Sequence, residues 1–142
     1  MNEHSAVSLK ALTPEACNAI GGTTLGINQF PFRVGRESRS AQSSAFFSSS
    51  RRRPDSPHNN DLYLVDPGTV LNVSREHFLI ERDEQGYSLV DRCSACGTLV
   101  EGELVGKYKR GGKVPLHDQD VIIVGTSESR YVFKFLVENG KS

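Results

Sequence analysis

The chain has 142 residues, of which 37% are hydrophobic and 24% charged, with 13 Gly and 6 Pro; that is the size and make-up of one ordinary domain rich in turns. Lys plus Arg balance Asp plus Glu at 17 each, which argues against wholesale binding to nucleic acid or a membrane surface. No apolar run approaches the roughly 20 residues needed to span a bilayer, and the start MNEHSAVSLK has no basic region followed by an apolar one. Three cysteines, an odd number, do not make a disulfide framework, so a reducing compartment, the cytoplasm, is expected.

In chain order, AVSLKAL (6–12) alternates with period two and reads as a strand. PEACNAI (14–20) reads as a helix of at most two turns, with Thr13 as cap, Pro14 at the first helical position and Gly21 as a left-handed stop. TLGINQFPFRVG (24–35) is a strand pattern broken at Pro31. Residues 37–60, ESRSAQSSAFFSSSRRRPDSPHNN, break the alternation and read as a long mobile insertion. Between positions 33 and 53, six arginines (Arg33, Arg36, Arg39, Arg51, Arg52, Arg53) against one acid, Glu37, make the chain locally basic. Nucleic-acid binding or phosphorylation there is less favoured than a solvated linker.

Further strands are expected at DLYLV (61–65), HFLIER (77–82), YSLVD (87–91), GTLVE (97–101), Glu103 to Val105, DVIIVG (120–125) and RYVFKFLVE (130–138). Asp66, Pro67 and Gly68 make a turn, and Asp83 to Gly86 suit a hairpin. In the last strand Tyr131, Phe133, Phe135 and Val137 share a face that belongs to a core. Many short strands without long helices or repeats predict an all-β fold, a β-sandwich of two mostly antiparallel sheets with one short N-terminal helix, forming a single domain over 1–142 with its core at about 6–138.

Three segments place polar and small residues at strand ends: FRVGRES (32–38), NVSREHFLI (72–80) and DRCSACGT (91–98). Arg36 and Arg75 supply guanidinium forks, Ser74 a hydroxyl, and Gly97 a backbone able to approach closely. On converging loops these groups would cradle a phosphate, since guanidinium binds phosphate oxygens bidentately and a hydroxyl completes the shell. Ser74, His77 and Asp91 invite a hydrolase triad, but no nucleophile elbow or oxyanion-hole motif accompanies them.

Cys93 and Cys96 form a C-x-x-C pair that leaves three readings. A zinc site needs four ligands, and only Cys17, His77 and His117 are left to complete it. A redox pair of the thioredoxin kind sits at a helix N-terminus, whereas this pair lies between two expected strands. The third reading is small side chains in a binding loop, where a Cys93–Cys96 disulfide would alter affinity.

The order VGR, DLYL, VSREHFLI, YSLVDRCSACGTLVEG and LHDQDVIIVG resembles the forkhead-associated domain family, a phosphothreonine-peptide binding module, over roughly residues 6–138. The resemblance implies that Arg36 grips the phosphate, Ser74 bonds it and Arg75 adds a phosphate or peptide contact. His77, with Gly35 and Gly97, supports the binding loops. Asn72 lies where the family contacts residues beyond the phosphothreonine. Cys96 stands where the family has an asparagine that bonds the peptide backbone, preceded by Ala95 where the family is polar, which implies weakened peptide affinity. Gln119 replaces the glycine of a Gly-Asp turn.

The implied function is binding of a Thr-phosphorylated partner, a kinase substrate or a Ser/Thr kinase, with no catalytic residue, metal or cofactor. A degenerate member binding a non-phosphorylated partner is the first alternative, and a metal-binding or redox protein using Cys93 and Cys96 the second.

Overall fold

The computed structural model describes residues 6–36, 60–65, 73–107 and 111–138. Most of the expected insertion (37–59), the Asp66–Gly68 turn and Asn72 lie outside the described residues.

The elements are β1 (Ala6–Ala11), α1 (Pro14–Ile20), β2 (Thr24–Ile27), β3 (Phe32–Arg36), β4 (Leu62–Leu64), β5 (Phe78–Asp83), β6 (Gly86–Asp91), β7 (Thr98–Val100), β8 (Glu103–Val105), β9 (Gly112–Leu116), β10 (Val121–Val124) and β11 (Val132–Glu138). They form a six-stranded sheet ordered β2-β1-β11-β10-β7-β8 and a five-stranded sheet ordered β4-β3-β5-β6-β9. All pairings are antiparallel except β3 with β4.

Period-two alternation decides which side chains meet. Val7, Leu9 and Ala11 of β1, Ile122 and Val124 of β10, and Phe133 and Phe135 of β11 point inward, against Val34 of β3, Leu64 of β4, Phe78 and Ile80 of β5, and Leu89 of β6. Tyr87 stacks edge-on against Phe135 at 5.4 Å between ring centroids and tilts against Phe30 at 5.7 Å. Rings in such offset geometry add about 0.5–1.5 kcal/mol each beyond area burial.

The helix follows its sequence signals. Thr13 Oγ1 accepts the Ala16 N–H at 3.2 Å, Pro14 opens the helix, and Gly21 closes it at φ 75°. The 24–35 pattern is two strands in different sheets, with a cis Phe30–Pro31 bond in the crossing between them. At the β5–β6 hairpin, Asp83 Oδ1 accepts the N–H groups of Gln85 and Gly86 at 2.8 and 3.2 Å.

Two expectations need correction. No strand was expected over 112–116, yet β9 pairs with β6 from Tyr87↔Leu116 to Asp91↔Gly112. Its Pro115 is tolerated because β9 is an edge strand with a partner on one side only. Asn60, assigned to the mobile insertion, is instead 3% exposed and hydrogen-bonded on both ends of its amide.

Candidate functional site

β3 ends at Arg36, the 73–77 segment leads into β5, and the 92–97 loop joins β6 to β7. Backbone bonds bring these three together: Arg36 N–H donates to Ser74 O at 2.9 Å, His77 N–H to Val34 O at 3.0 Å and Arg92 N–H to His77 O at 2.8 Å.

Arg36 is half-buried, and its Nε donates to the Val73 carbonyl at 2.9 Å, which fixes the plane of the guanidinium beside Ser74. Ser74 Oγ accepts the Ala95 N–H at 3.0 Å. Its own O–H has no acceptor among the described residues, so the hydroxyl has a proton to give to a ligand. The Arg75 side chain is exposed and makes no hydrogen bond or ion pair among the described residues. Two guanidiniums and a hydroxyl thus stand on consecutive and adjoining backbone. Glu76, the nearest acid in sequence, is paired with Arg92 at 3.6 Å.

His77 is fully buried between the two loops. Its Nδ1 accepts the Ser74 N–H at 2.9 Å and its Nε2 lies 2.7 Å from Gly97 O. An N–H can only donate and a carbonyl only accept, so the proton sits on Nε2. Burial pushes the imidazole below the ordinary histidine range, opposed less strongly by the Gly97 carbonyl and the Asp91 charge. With both ring nitrogens engaged by backbone, His77 does not act as base to Ser74 Oγ.

Asp91, 3% exposed at the end of β6, shapes the 92–97 loop. Its Oδ1 accepts the Ser94 N–H at 2.9 Å, and its Oδ2 accepts the Ser94 and Thr98 hydroxyls at 2.6 and 2.9 Å. Ser94 Oγ in turn accepts the Gly97 N–H at 2.9 Å. Every bond to the carboxylate comes from within seven residues, so the loop is held from inside before any ligand arrives.

Asn60 braces the other flank. Its Nδ2 donates to Arg75 O at 2.7 Å and its Oδ1 accepts from Arg92 Nη1 at 2.8 Å. Next to it, Asp61 binds Arg33 bidentately at 3.0 and 3.2 Å. Burial raises the Asp61 pKa, but the Arg33 bonds and charge outweigh it and hold the carboxyl below its ordinary value.

Gly35 and Gly97 are required for different reasons. A Cβ at Gly35 would overlap Arg75 O and the Asn60 amide. Gly97 sits at φ 82°, in the left-handed region, with Leu104 Cδ1 only 2.7 Å from where a Cβ would stand.

The expected residues Gly35, Arg36, Ser74, Arg75, His77, Ala95, Cys96 and Gly97 therefore gather at one end of the sandwich, and Asn72 lies outside the described residues. Sequence reasoning missed Asn60, Arg92, Ser94 and Thr98, and took Asp91 only as a discarded triad member. The spacing Asp91, Ser94, Gly97 was the available signal, because a side-chain oxygen reaches N–H groups about two to three residues on. All three cysteines are free thiols, Cys93 exposed and at φ 65°, Cys96 half-buried. Among the described residues no group of three or more His, Cys, Asp or Glu is placed to hold a metal ion.

The FHA domain profile matches residues 32–125, which include every element of this site. The chain belongs to the FHA domain family. No curated protein matches it in sequence. Among solved structures, it is similar to the kinase-interacting FHA domain of the Arabidopsis kinase-associated protein phosphatase KAPP, at TM-score 0.62 and 21% identity over 100% of both chains. It is also similar to Mycobacterium tuberculosis EmbR in complex with a low-affinity phosphopeptide, at TM-score 0.59 and 21% identity over 98% of this chain, which spans 26% of EmbR. A third similar structure is the FhaA FHA domain complexed with an intracellular domain, at TM-score 0.53 and 22% identity, covering 91% of this chain and 98% of that one. These likenesses establish that the FHA β-sandwich extends on both sides of the profile match.

Proposed function

We propose that this FHA domain is a phosphothreonine-dependent interaction module that binds a phosphorylated segment of a partner protein, a kinase substrate or a Ser/Thr kinase. The observation that carries the reading is the Ser74 hydroxyl, which accepts the Ala95 N–H, keeps its own proton for a ligand, and follows the Val73 carbonyl that fixes Arg36 and precedes the exposed Arg75. Charge-assisted bonds to a phosphate dianion are the interaction this donor set suits best. The phosphopeptide bound to EmbR supports the same reading.

The work of the site is recognition rather than catalysis, since His77 is held on both nitrogens by backbone and Asp91 by Ser94 and Thr98. Residues 1–142 are taken as a single domain. Three reduced cysteines fit a cytoplasmic setting.

The test is titration of one threonine peptide in phosphorylated and unphosphorylated forms. Arg36→Ala and Ser74→Ala should each lower affinity for the phosphorylated form about tenfold or more, since a hydrogen bond to a charged group contributes about 1.5–3 kcal/mol. Unchanged binding in both variants would overturn the reading. Cys96 and Ala95, which supply no amide side chain to a peptide backbone, favour one second reading, a module indifferent to phosphorylation. Equal affinity for the two peptide forms would establish it.

A further inference from the structure

The outer face of the six-stranded sheet carries an apolar row that neither the core nor the phosphate site uses. Leu104 of β8 lies opposite Leu99 of β7, Leu99 opposite Ile123 of β10, and Ile123 opposite Val132 of β11. Leu12 continues the row through its N–H bond to Val132 O at 2.9 Å. Leu99, Ile123 and Val132 each stand between two buried residues, and Leu104 and Leu12 each adjoin one (Val105 and Ala11), so the five point away from the core. The two ends of the row, Leu104 at 48% and Leu12 at 42% exposure, are two of the three large hydrophobic residues exposed among the described residues. With strands about 4.8 Å apart, the row is about 19 Å long. Isolated apolar side chains on a surface need no explanation, but a continuous row across four strands and the residue that follows β1 does.

Two observations identify what covers it. The row is continuous with the proposed phosphopeptide site, because Leu104 packs directly on the Gly97 backbone, next to Cys96. On the same face, two residues further along their strands, Lys10 and Lys134 stand directly opposite each other. Neither has a carboxylate partner among the described residues. Like charges placed opposite one another repel, and a carboxylate from outside would relieve both.

We infer that the row is a second docking surface for the phosphorylated partner, taking an extended segment that flanks its phosphothreonine and combines aliphatic with acidic side chains. This rests on the phosphopeptide reading above. The two contacts act as linked sites: once the phosphothreonine is held, the flanking segment binds from a high effective concentration. Such an arrangement offsets the weaker peptide-backbone contact at Cys96 with contacts outside the loop.

The test uses two randomised peptide pools with a fixed phosphothreonine, one with about four residues on each side and one with about twelve, since about six extended residues cover the row. The short pool reports the phosphate site alone. The long pool should enrich Leu, Ile or Val together with Asp or Glu beyond the reach of the short pool, and its selected peptides should bind about tenfold tighter or more. Ile123→Thr should abolish that gain and leave short-peptide affinity unchanged. Leu12→Gln, at an exposed position, should reduce the gain as well, and Lys134→Glu should reverse the acidic preference. Short-pool binding without any gain from flanking residues overturns the second surface alone, as does a gain that survives both Ile123→Thr and Leu12→Gln. Concentration-dependent dimerisation of the free chain, lost in Leu12→Gln, also overturns it by assigning the row to a second copy. Failure of both pools overturns the phosphopeptide reading, and this one with it.

Discussion

His77 donates through Nε2 to the Gly97 carbonyl at 2.7 Å, so one buried imidazole ties the loop that carries Cys96 to the segment that carries Ser74. The two bonds coexist only in the neutral ring, because a protonated Nδ1 could no longer accept the Ser74 N–H.

The consequence is a pH dependence with a defined sign. Burial depresses the folded-state pKa of His77 below its unfolded value of about 6.5. The unfolded chain therefore binds the proton first. Its stabilising contribution is complete above about pH 6.5 and declines as pH falls toward the folded pKa, by up to about 1.4 kcal/mol per pH unit. Urea unfolding of wild type and His77→Gln should show the variant less stable by about 1–3 kcal/mol near neutral pH, with the gap closing as pH falls. A gap that stays constant down to about pH 5 would contradict this account.

Asn60→Ala should cost about 1–3 kcal/mol, because it removes the amide donor to the Arg75 carbonyl and the Asn60 Oδ1 bond to Arg92 Nη1. Asn60→Asp separates the two bonds: it keeps an acceptor for Arg92 and loses the donor to Arg75. Thermal unfolding should place Asn60→Asp between wild type and Asn60→Ala, and phosphopeptide affinity should fall in both as Arg75 loses its brace.

Asn60 also shows where sequence reading runs out. Its partner Arg92 is 32 residues away, and it ends a run of Ser, Arg, Pro and Asn whose composition signals only solvation. The sandwich was legible because inward positions such as Leu9, Phe133 and Phe135 alternate strictly. β9 was not, since GKVPL has little alternation and a proline that only an edge strand accepts. Arg36, Ser74 and His77 were legible as an ordered set of motifs. Of the Asp91 network only the local spacing to Ser94 and Gly97 was readable; the bond from Thr98, seven residues on, was not, because it depends on how the loop folds back.

Gln119 occupies the left-handed region at φ 79°, in the turn before β10. For a residue with a Cβ this costs about 1–2 kcal/mol, and glycine would relieve it at about 0.4–1 kcal/mol of extra unfolded-state entropy. Gln119→Gly should therefore stabilise the domain by about 0.5–1 kcal/mol and raise Tm by a few degrees, because the N–H bond to Phe135 O at 2.6 Å is backbone and survives the change. A lower Tm would mean that the Gln119 side chain contributes more than its 3.5 Å approach to Asp118 suggests.

Cys96→Asn addresses the loop itself. Cys96 precedes Gly97, whose carbonyl is held by His77 and whose N–H is held by Ser94, so the backbone at this position is fixed on its C-terminal side. On the other side, the Ala95 N–H is held by Ser74 Oγ. A new side chain at position 96 thus enters a loop already in place, and an amide that both donates and accepts adds about one hydrogen bond to a bound peptide backbone. One such bond contributes about 1 kcal/mol, so phosphopeptide affinity should rise about fivefold. The gain should appear with phosphorylated peptide and vanish in Arg36→Ala, since the amide grips a peptide only after the phosphate has positioned it. It should also remove any effect of reductant on affinity, because Cys93 is left without its neighbouring thiol. Equal binding by wild type and Cys96→Asn would show that position 96 does not face the peptide and that affinity is set elsewhere on this surface.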